Sequence, residues 1–269
     1  MNAFPRQSWI SPRTTAHVGG RWQVLLLTER MPTRDQTKAP QYILQEIRFL
    51  ANLPLDLHVL TDTETLIEIP RVRIHVMPQT ARDPRKMVRS MLFGLQQGHL
   101  AAIQPASREY VAAKKNMFVH DIIKRERIDI VHSHWAYPEG TGGTWAAHAA
   151  GIPVVMTLRG VDINKEADVG YGYRLDPAYE RTLTQSLRLA DRITVASGYS
   201  KRCVEELIRH NGRTRVISNG TDFGRFRRAE SRTRAAPAQR DGLFALFSLG
   251  ELVRKKHFGI LLDALAVFR

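Results

Sequence analysis

The feature that most constrains this fold is an alternation of short apolar runs with stretches in which apolar residues recur at helical spacing. The run at 22–28 (WQVLLLT) is almost continuously apolar, which is typical of a strand buried on both faces of a parallel sheet. Residues 55–60 and 71–77 are of alternating character, which predicts two more strands, and four further strand candidates are 129–133, 153–158, 192–196 and 215–218. Helical spacing predicts helices near 43–51, 85–103, 107–127, 143–150, 177–190 and 200–210. Strands that alternate with helices in this way predict an α/β fold, a parallel sheet with helices on both faces.

Composition changes after this pattern and predicts the domain organisation. Residues 224–242 carry six arginines and no aliphatic residue larger than alanine, which predicts an exposed basic linker over 223–242. Beyond it, the run at 243–249 (LFALFSL) predicts one more strand, followed by a helix. A lone βα unit is below the ~40 residues at which domains usually become self-sufficient. We therefore expect 243–269 to begin a truncated second domain; the alternative is that it docks on the first. Residues 1–20 lack an apolar run and are expected to be a disordered extension.

Charge and cysteine content narrow the possible partners and compartments. The chain has 40 basic and 26 acidic residues, a net charge of +14, and 31 of the basic residues are arginine. This balance favours a polyanionic partner such as a nucleotide, a lipid headgroup or nucleic acid, although a basic surface without such a partner has the same composition. The single cysteine, Cys203, excludes an intrachain disulfide and predicts a reducing, cytoplasmic compartment. Because Cys203 lies on an apolar helical stripe, we expect it to pack in the core.

Membrane contact is indicated only at one segment. The sequence lacks the ~20 consecutive apolar residues that a transmembrane helix needs. Residues 84–97 combine Arg85 and Arg89 with apolar positions at helical spacing. That pattern is typical both of an interfacial helix and of an ordinary core-facing helix.

Candidate functional residues follow the predicted strands, because ligands of such sheets bind outside the carboxyl ends of the strands. His132 and His134 would share one face of their strand, but no third metal ligand is evident nearby, so we predict no metal site. Gly140, Gly142 and Gly143 lead into a helix, and their N–H groups could meet an anion there.

Three further segments offer polar groups at the same edge. Arg159 and Asp162 flank Gly160 and could bind a phosphate and a sugar hydroxyl, or form a local salt bridge. Asn219 and Gly220 predict a turn. The basic segment 250–256 (GELVRKK), at the entry of a helix, suits a diphosphate, although a solvated helix start is an ordinary alternative.

Taken together, these segments resemble glycosyltransferase family 4, which comprises retaining enzymes of the GT-B fold. The resemblance runs from residue 22 to the last residue and is carried by HSHWAYPEG, GIPVVMTLRGVDI, RLADRITVAS, VISNGTDFGRF and SLGELVRKKHFGILLDAL, in family order. The WAYPEG and LRGVDI variants look most like enzymes that build cell-surface polysaccharides of the teichuronic-acid type. The resemblance implies two Rossmann-like, doubly wound domains that face each other across a cleft. Residues 21–222 would be the acceptor-side domain and 243–269 the start of the donor-binding domain.

The resemblance also implies roles for particular residues. His134 matches the catalytic position that faces the reaction centre. The acceptor and cleft-lining positions are Gly140, Gly142, Gly143, Arg159, Gly160, Asp162, Asn219 and Gly220. Lys256 and Gly250 match the donor-diphosphate site.

Three departures from the family pattern matter. Arg159 replaces the usual histidine of the family's HG-x-D loop, and Glu251 replaces a cation next to the diphosphate. The glutamate pair that holds the donor sugar in the family would lie beyond Arg269. We therefore expect the chain to be inactive alone.

The implied activity is transfer of a sugar from a nucleotide-diphosphate sugar to a glycan or lipid-linked acceptor, with retention of configuration and without a cofactor or metal. The implied location is cytoplasmic, with peripheral contact at the inner face of an anionic membrane and no specific nucleic acid. The first alternative is a non-catalytic basic α/β module that binds lipid phosphate or nucleic acid. A nucleotide-sugar-modifying Rossmann enzyme is disfavoured, because no GxGxxG follows the first strand.

Overall fold

The seven predicted strands form one parallel sheet. A computed structural model describes residues 20–29, 31, 41–62, 68–77, 84–96, 107–209, 212–220, 224 and 246–267. The strands are β1 (Trp22–Thr28), β2 (Leu55–Thr61), β3 (Val72–Val76), β4 (Ile130–His134), β5 (Val154–Leu158), β6 (Arg192–Val195) and β7 (Thr214–Val216). Their spatial order is β3-β2-β1-β4-β5-β6-β7. The prediction of a parallel α/β sheet is confirmed.

The helices are α1 (Gln41–Leu50), α2 (Pro84–Gln96), α3 (Arg108–Glu126), α4 (Thr141–Ala150), α5 (Pro177–Leu189), α6 (Gly198–Ile208) and α7 (Phe258–Val267). Helices cover both faces of the sheet, whereas none of the described residues of α7 is buried. Leu25 and Leu27 of β1 pack with α3 and α4, whereas Leu26 packs with α1 on the other face. This is why the β1 run is apolar at successive positions, and it makes the sheet doubly wound. Cys203 is buried among apolar side chains of α5 and α6, as predicted.

The chain order reverses at the centre of the sheet, which fixes where a ligand can bind. β1 pairs with β2 on one side and with β4 on the other, all in parallel. At such a switch point, the connections that leave the two central strands run to opposite sides and open a crevice at the carboxyl edge. The loops after β4 and β5, which carry most of the predicted site, lie at this edge.

The carboxyl-terminal segment differs from its prediction. The strand predicted at 243–249 is not formed in its described part, because residues 246–249 pair with no strand and their leucine and phenylalanine side chains are exposed. An apolar run becomes a strand only where a neighbouring strand satisfies its backbone groups. The helix that follows, α7, is present as predicted. Residues 1–19 and 225–245 lie outside the described residues, so the extension, the linker and the domain boundaries stay predictions.

The described helices give no candidate for a transmembrane segment: within the part of the chain that the structure describes, none is both long and apolar enough to cross a bilayer.

Close packing of α4 on α3 explains one of the singled-out glycines. A Cβ added at Gly142 would lie 2.7 Å from the Cβ of Lys115 and 2.9 Å from the carbonyl oxygen of Ala112. Both neighbours belong to the buried part of α3, and a backbone carbonyl there cannot yield without moving the helix. Gly142 therefore sets the distance between the two helices.

We predict that Gly142→Ala lowers the free energy of unfolding by about 1–3 kcal/mol, because overpacking forces backbone shifts. Urea unfolding followed by circular dichroism measures the change. Gly198→Ala is the matched control, since Gly198 also lies in the first turn of a helix but is exposed, and only Arg202 Nη1 is near its added Cβ, at 4.0 Å. Equal stability of the two variants would contradict the packing argument.

Candidate active site

Polar side chains from four separate segments meet at the carboxyl edge of the sheet. Arg159, directly after β5, donates from Nη2 to Glu46 Oε2 at 2.5 Å and to His134 Nδ1, at the end of β4, at 2.7 Å. Its Nη1 donates to Asn219 Oδ1, in the segment after β7, at 2.8 Å. The Arg159 guanidinium thus joins two other predicted site residues, His134 and Asn219.

Both histidines of β4 are neutral at physiological pH. Burial lowers the pKa of His134 well below its usual value, and neighbouring His132 and Arg159 lower it further. Burial lowers the pKa of His132 to about 4, with a smaller effect of Arg159 in the same direction. His132 Nε2 lies 2.7 Å from the hydroxyl of Thr157, which in turn lies 2.7 Å from that of Thr194. His132 is therefore anchored across β5 and β6, and His134 lies against the arginine.

Glu46 is a site residue that sequence analysis missed. It lies on α1, which packs on the sheet through buried Ile43, Leu44 and Ile47. Its Oε1 lies 3.4 Å from His134 Nε2, while Oε2 accepts from Arg159. The available signal was its place on the helix that follows β1, since the first turns of such a helix lie near the carboxyl edge. The sequence around Glu46 does not distinguish this carboxylate from those of other acidic residues on helices.

Asp162 organises the backbone around the site. Its Oδ1 accepts from the N–H groups of Arg159 and Gly160, each at 2.9 Å, and Oδ2 accepts from the N–H of Ala136 at 3.1 Å. Burial raises the pKa of Asp162 to about 6, although these backbone hydrogen bonds lower it. The alternative of a local salt bridge with Arg159 is wrong, because the guanidinium points to Glu46 instead. Asp162 joins the loop after β5 to the loop after β4.

The glycines of the predicted site have different surroundings. Gly160 has a φ of 114°, which favours glycine, and a Cβ there would lie 3.3 Å from the hydroxyl of Tyr171. Gly140 and Gly143 are buried against Met156 and Leu27, so packing accounts for them as it does for Gly142. Anion binding by the amides of this helix start stays a prediction.

The predicted donor-side residues are exposed and near the same loop. Gly250 and Lys256 lie on the exposed segment before α7, in which residues 254–256 form a short helical turn. The Nζ of Lys255 lies 4.4 Å from the centre of the Tyr171 ring, whose hydroxyl is beside Gly160. Binding of a diphosphate by Lys256 and Gly250 stays a prediction.

The structure supplies a third potential metal ligand that the sequence did not reveal. Glu46, His132 and His134 offer ligand atoms that all lie within 4.8 Å of one another. However, the Arg159 guanidinium already occupies His134 Nδ1 and Glu46 Oε2. A metal ion would have to enter beside this fixed positive charge, which is unfavourable in a buried site. The geometry favours a cluster centred on arginine.

A second buried polar cluster lies between α3, the end of β2 and the turn before α4. The Nζ of Lys115, almost wholly buried, lies 3.2 Å from Glu139 Oε1 and also pairs with Asp62. Burial raises the pKa of Glu139 to about 7, while the nearby Lys115 charge lowers it and that of Asp62 raises it. Sequence analysis did not single out these residues.

Solved structures of other proteins share this fold. The Anabaena protein HepE, in complex with UDP and glucose, superposes with a TM-score of 0.54 and 18% identity, covering 91% of this chain and 58% of that one. Sucrose-phosphate synthase from Thermosynechococcus elongatus has a TM-score of 0.50 and 14% identity, over 76% of this chain and 49% of its own. These similarities show a Rossmann-like fold of the GT-B type, as predicted.

Sequence comparison then establishes the family. The pattern of Glycosyltransferase Family 4 matches residues 39–225, more than half of the chain, so the chain belongs to that family. The glycosyltransferase MJ1178 of Methanocaldococcus jannaschii is 31% identical over 147 residues, which is 54% of this chain and 36% of that protein. The chain therefore spans little more than a third of this curated relative and just over half of HepE.

We predict that the stability of this protein depends on pH through Glu139. The pKa of Glu139 is raised from 4.5 to about 7 in the folded protein. The contribution of this group to the free energy of unfolding is therefore fully present below pH 4.5 and is lost as the pH rises through 7. Between pH 4.5 and 8, wild type should therefore lose up to about 3 kcal/mol of unfolding free energy through Glu139. Glutamine does not titrate, so the Glu139→Gln variant should gain that amount relative to wild type over the same range. Chemical denaturation at several pH values measures this. Glu251→Gln, at an exposed carboxylate, is the control; a Glu139→Gln effect independent of pH would contradict the prediction.

Proposed function

We propose that this protein is the acceptor-side part of a retaining glycosyltransferase that moves a hexose from a nucleotide-diphosphate sugar to a cell-surface glycan or glycolipid. The observation that carries the proposal is the contact of His134, Arg159 and Asn219, which come from three segments of the family pattern and meet at the switch point of the sheet. Such a crevice is where doubly wound sheets bind ligands. Acceptor chemistry, retention and a role in the cell envelope rest on the family resemblance alone.

A nucleotide-diphosphate sugar is the proposed donor because of the family and of HepE, which was solved in complex with UDP-glucose. We assign its diphosphate to the basic segment with Gly250 and Lys256. As the glycosidic bond breaks, negative charge develops on the leaving diphosphate, and positioned cations stabilise it. The acceptor-side loops hold the attacking hydroxyl close to the sugar carbon, which lowers the entropic cost of the reaction. No metal or other cofactor takes part in this scheme.

The test is sugar transfer by the full-length product of the gene that encodes this chain. With nucleotide-diphosphate hexoses and membrane extracts as acceptor, His134→Ala should lower kcat/KM by about 100-fold, as loss of a group at the reaction centre does. His148→Ala is the matched control, because His148 is exposed at the opposite end of α4. An unchanged rate in His134→Ala would remove His134 from the mechanism, and absence of transfer with every donor would overturn the proposal.

Peripheral contact with an anionic membrane, at the inner face in the cytoplasm, is the second part of the proposal. Three apolar side chains of α2, Val88, Leu92 and Leu95, are exposed at successive helical positions. Arg85 and Arg89 lie on the same helix, and Arg89 also pairs with Asp121. An exposed apolar stripe beside basic residues supports the interfacial interpretation of this helix over the core-facing one.

We predict that the protein binds vesicles that contain anionic lipid and that salt weakens this binding. The double variant Val88→Ser, Leu92→Ser should bind about tenfold more weakly or less, because two apolar side chains no longer enter the lipid. Vesicle co-sedimentation measures the affinity. Phe49→Ser serves as control, since Phe49 is an exposed apolar residue on α1. Equal loss in the control and the double variant would contradict docking through α2.

A further inference from the structure

Arg159 determines which nitrogen of His134 carries the proton. A guanidinium group has only hydrogen-bond donors, so the Nδ1 atom of His134, 2.7 Å from Arg159 Nη2, must accept. An accepting Nδ1 carries no proton. The proton of the neutral imidazole is therefore on Nε2.

Glu46 faces the other nitrogen of the same ring. Its Oε1 lies 3.4 Å from His134 Nε2, a contact too long for a good hydrogen bond. In the described part of the chain, Nε2 is buried and has no hydrogen-bond partner. The other oxygen of Glu46 binds Arg159, so the carboxylate and the guanidinium hold the imidazole from its two sides.

We infer that Arg159 is a positioning residue that keeps the proton of the His134 imidazole on Nε2, so that His134 acts by giving a hydrogen bond to a substrate oxygen. The inference rests on the proposed function, in which His134 faces the reaction centre. It gives His134 a role other than that of a base: the nitrogen facing Arg159 is occupied, and the nitrogen facing Glu46 already carries a proton. A hydroxyl or phosphoryl oxygen of the bound substrates is the kind of atom that this N–H would contact.

The geometry also explains why arginine suits this position, where the family usually has histidine. One planar guanidinium reaches His134, Glu46 and Asn219 at once, with both Nη atoms engaged. The guanidinium carbon also lies 5.1 Å from the centre of the Tyr42 ring. A lysine ammonium has no such planar fork, and a histidine could either donate to His134 or accept from it. Arginine permits one tautomer only.

The direct test is long-range ¹H–¹⁵N NMR of the wild-type protein labelled with ¹⁵N-histidine. His134 should show an unprotonated Nδ1 and a protonated Nε2 throughout pH 6–8, and a protonated Nδ1 at pH 7 would overturn the inference. Glu46→Gln keeps the Arg159 contact and should leave this pattern unchanged. Arg159→Ala should give a mixture of tautomers; a single unchanged tautomer in that variant would show that Arg159 does not set it. His148, exposed on α4, is the internal reference.

The kinetic test separates a donor from a base in the full-length enzyme. A glutamine side chain can donate a hydrogen bond but cannot act as a base at neutral pH. His134→Gln should therefore retain at least about tenfold more kcat/KM than His134→Ala, in line with one retained hydrogen bond. Equal loss in the two variants would overturn the donor role. An enzyme that transfers no sugar would overturn the proposed function instead, and the tautomer result would stand on its own.

Discussion

The buried guanidinium of Arg159 is the interaction on which the rest of the site depends. Only about 10% of its side chain is exposed, and removing such a charge from water costs several kcal/mol. That cost is offset by the Glu46 carboxylate, by His134 Nδ1 and by the Asn219 side-chain oxygen. Because these partners belong to α1, β4 and the segment after β7, the charge can be satisfied only when all of them are in place. The cluster thus fixes the relative position of elements that are far apart in sequence.

Asp162 has the corresponding role for the backbone. Its carboxylate accepts hydrogen bonds from N–H groups of the loops after β4 and β5. The first residue of the loop after β4, Trp135, has a strained backbone, with a φ of 67°. A positive φ at a bulky residue costs on the order of 1–3 kcal/mol and persists only where neighbouring contacts enforce it. Here Trp135 N–H donates to the Thr157 carbonyl at 2.9 Å, and the next N–H donates to Asp162. The strand β4 ends at His134, so this buried histidine lies at the carboxyl edge of the sheet.

The sequence predicted the sheet well because burial on both faces leaves a clear signal in each apolar run. It also predicted that His134, Arg159 and Asn219 share one edge, since all three follow parallel strands. It did not predict Glu46, because a carboxylate on an amphipathic helix has the same local pattern whether or not it meets a buried arginine. The direction of the Arg159 side chain was open for the same reason: its partner is set by tertiary contacts. The run at 243–249 shows the converse, since an apolar pattern specifies burial but does not supply the partner strand.

The charges of the site suggest a division of labour within the proposed reaction. On the acceptor side, Glu46 offsets Arg159 and both histidines are neutral, so this cluster offers directed hydrogen bonds but little net charge. A departing diphosphate needs positive charge, and the exposed segment that contains residues 254–256 supplies three cations next to one carboxylate, Glu251. The contact of Lys255 with Tyr171 brings that segment to the loop of Gly160. In the proposed reaction, the neutral cluster would select geometry and the basic, exposed segment would stabilise charge. The arginine in the HG-x-D position fits this scheme because the Glu46 carboxylate pairs with its charge.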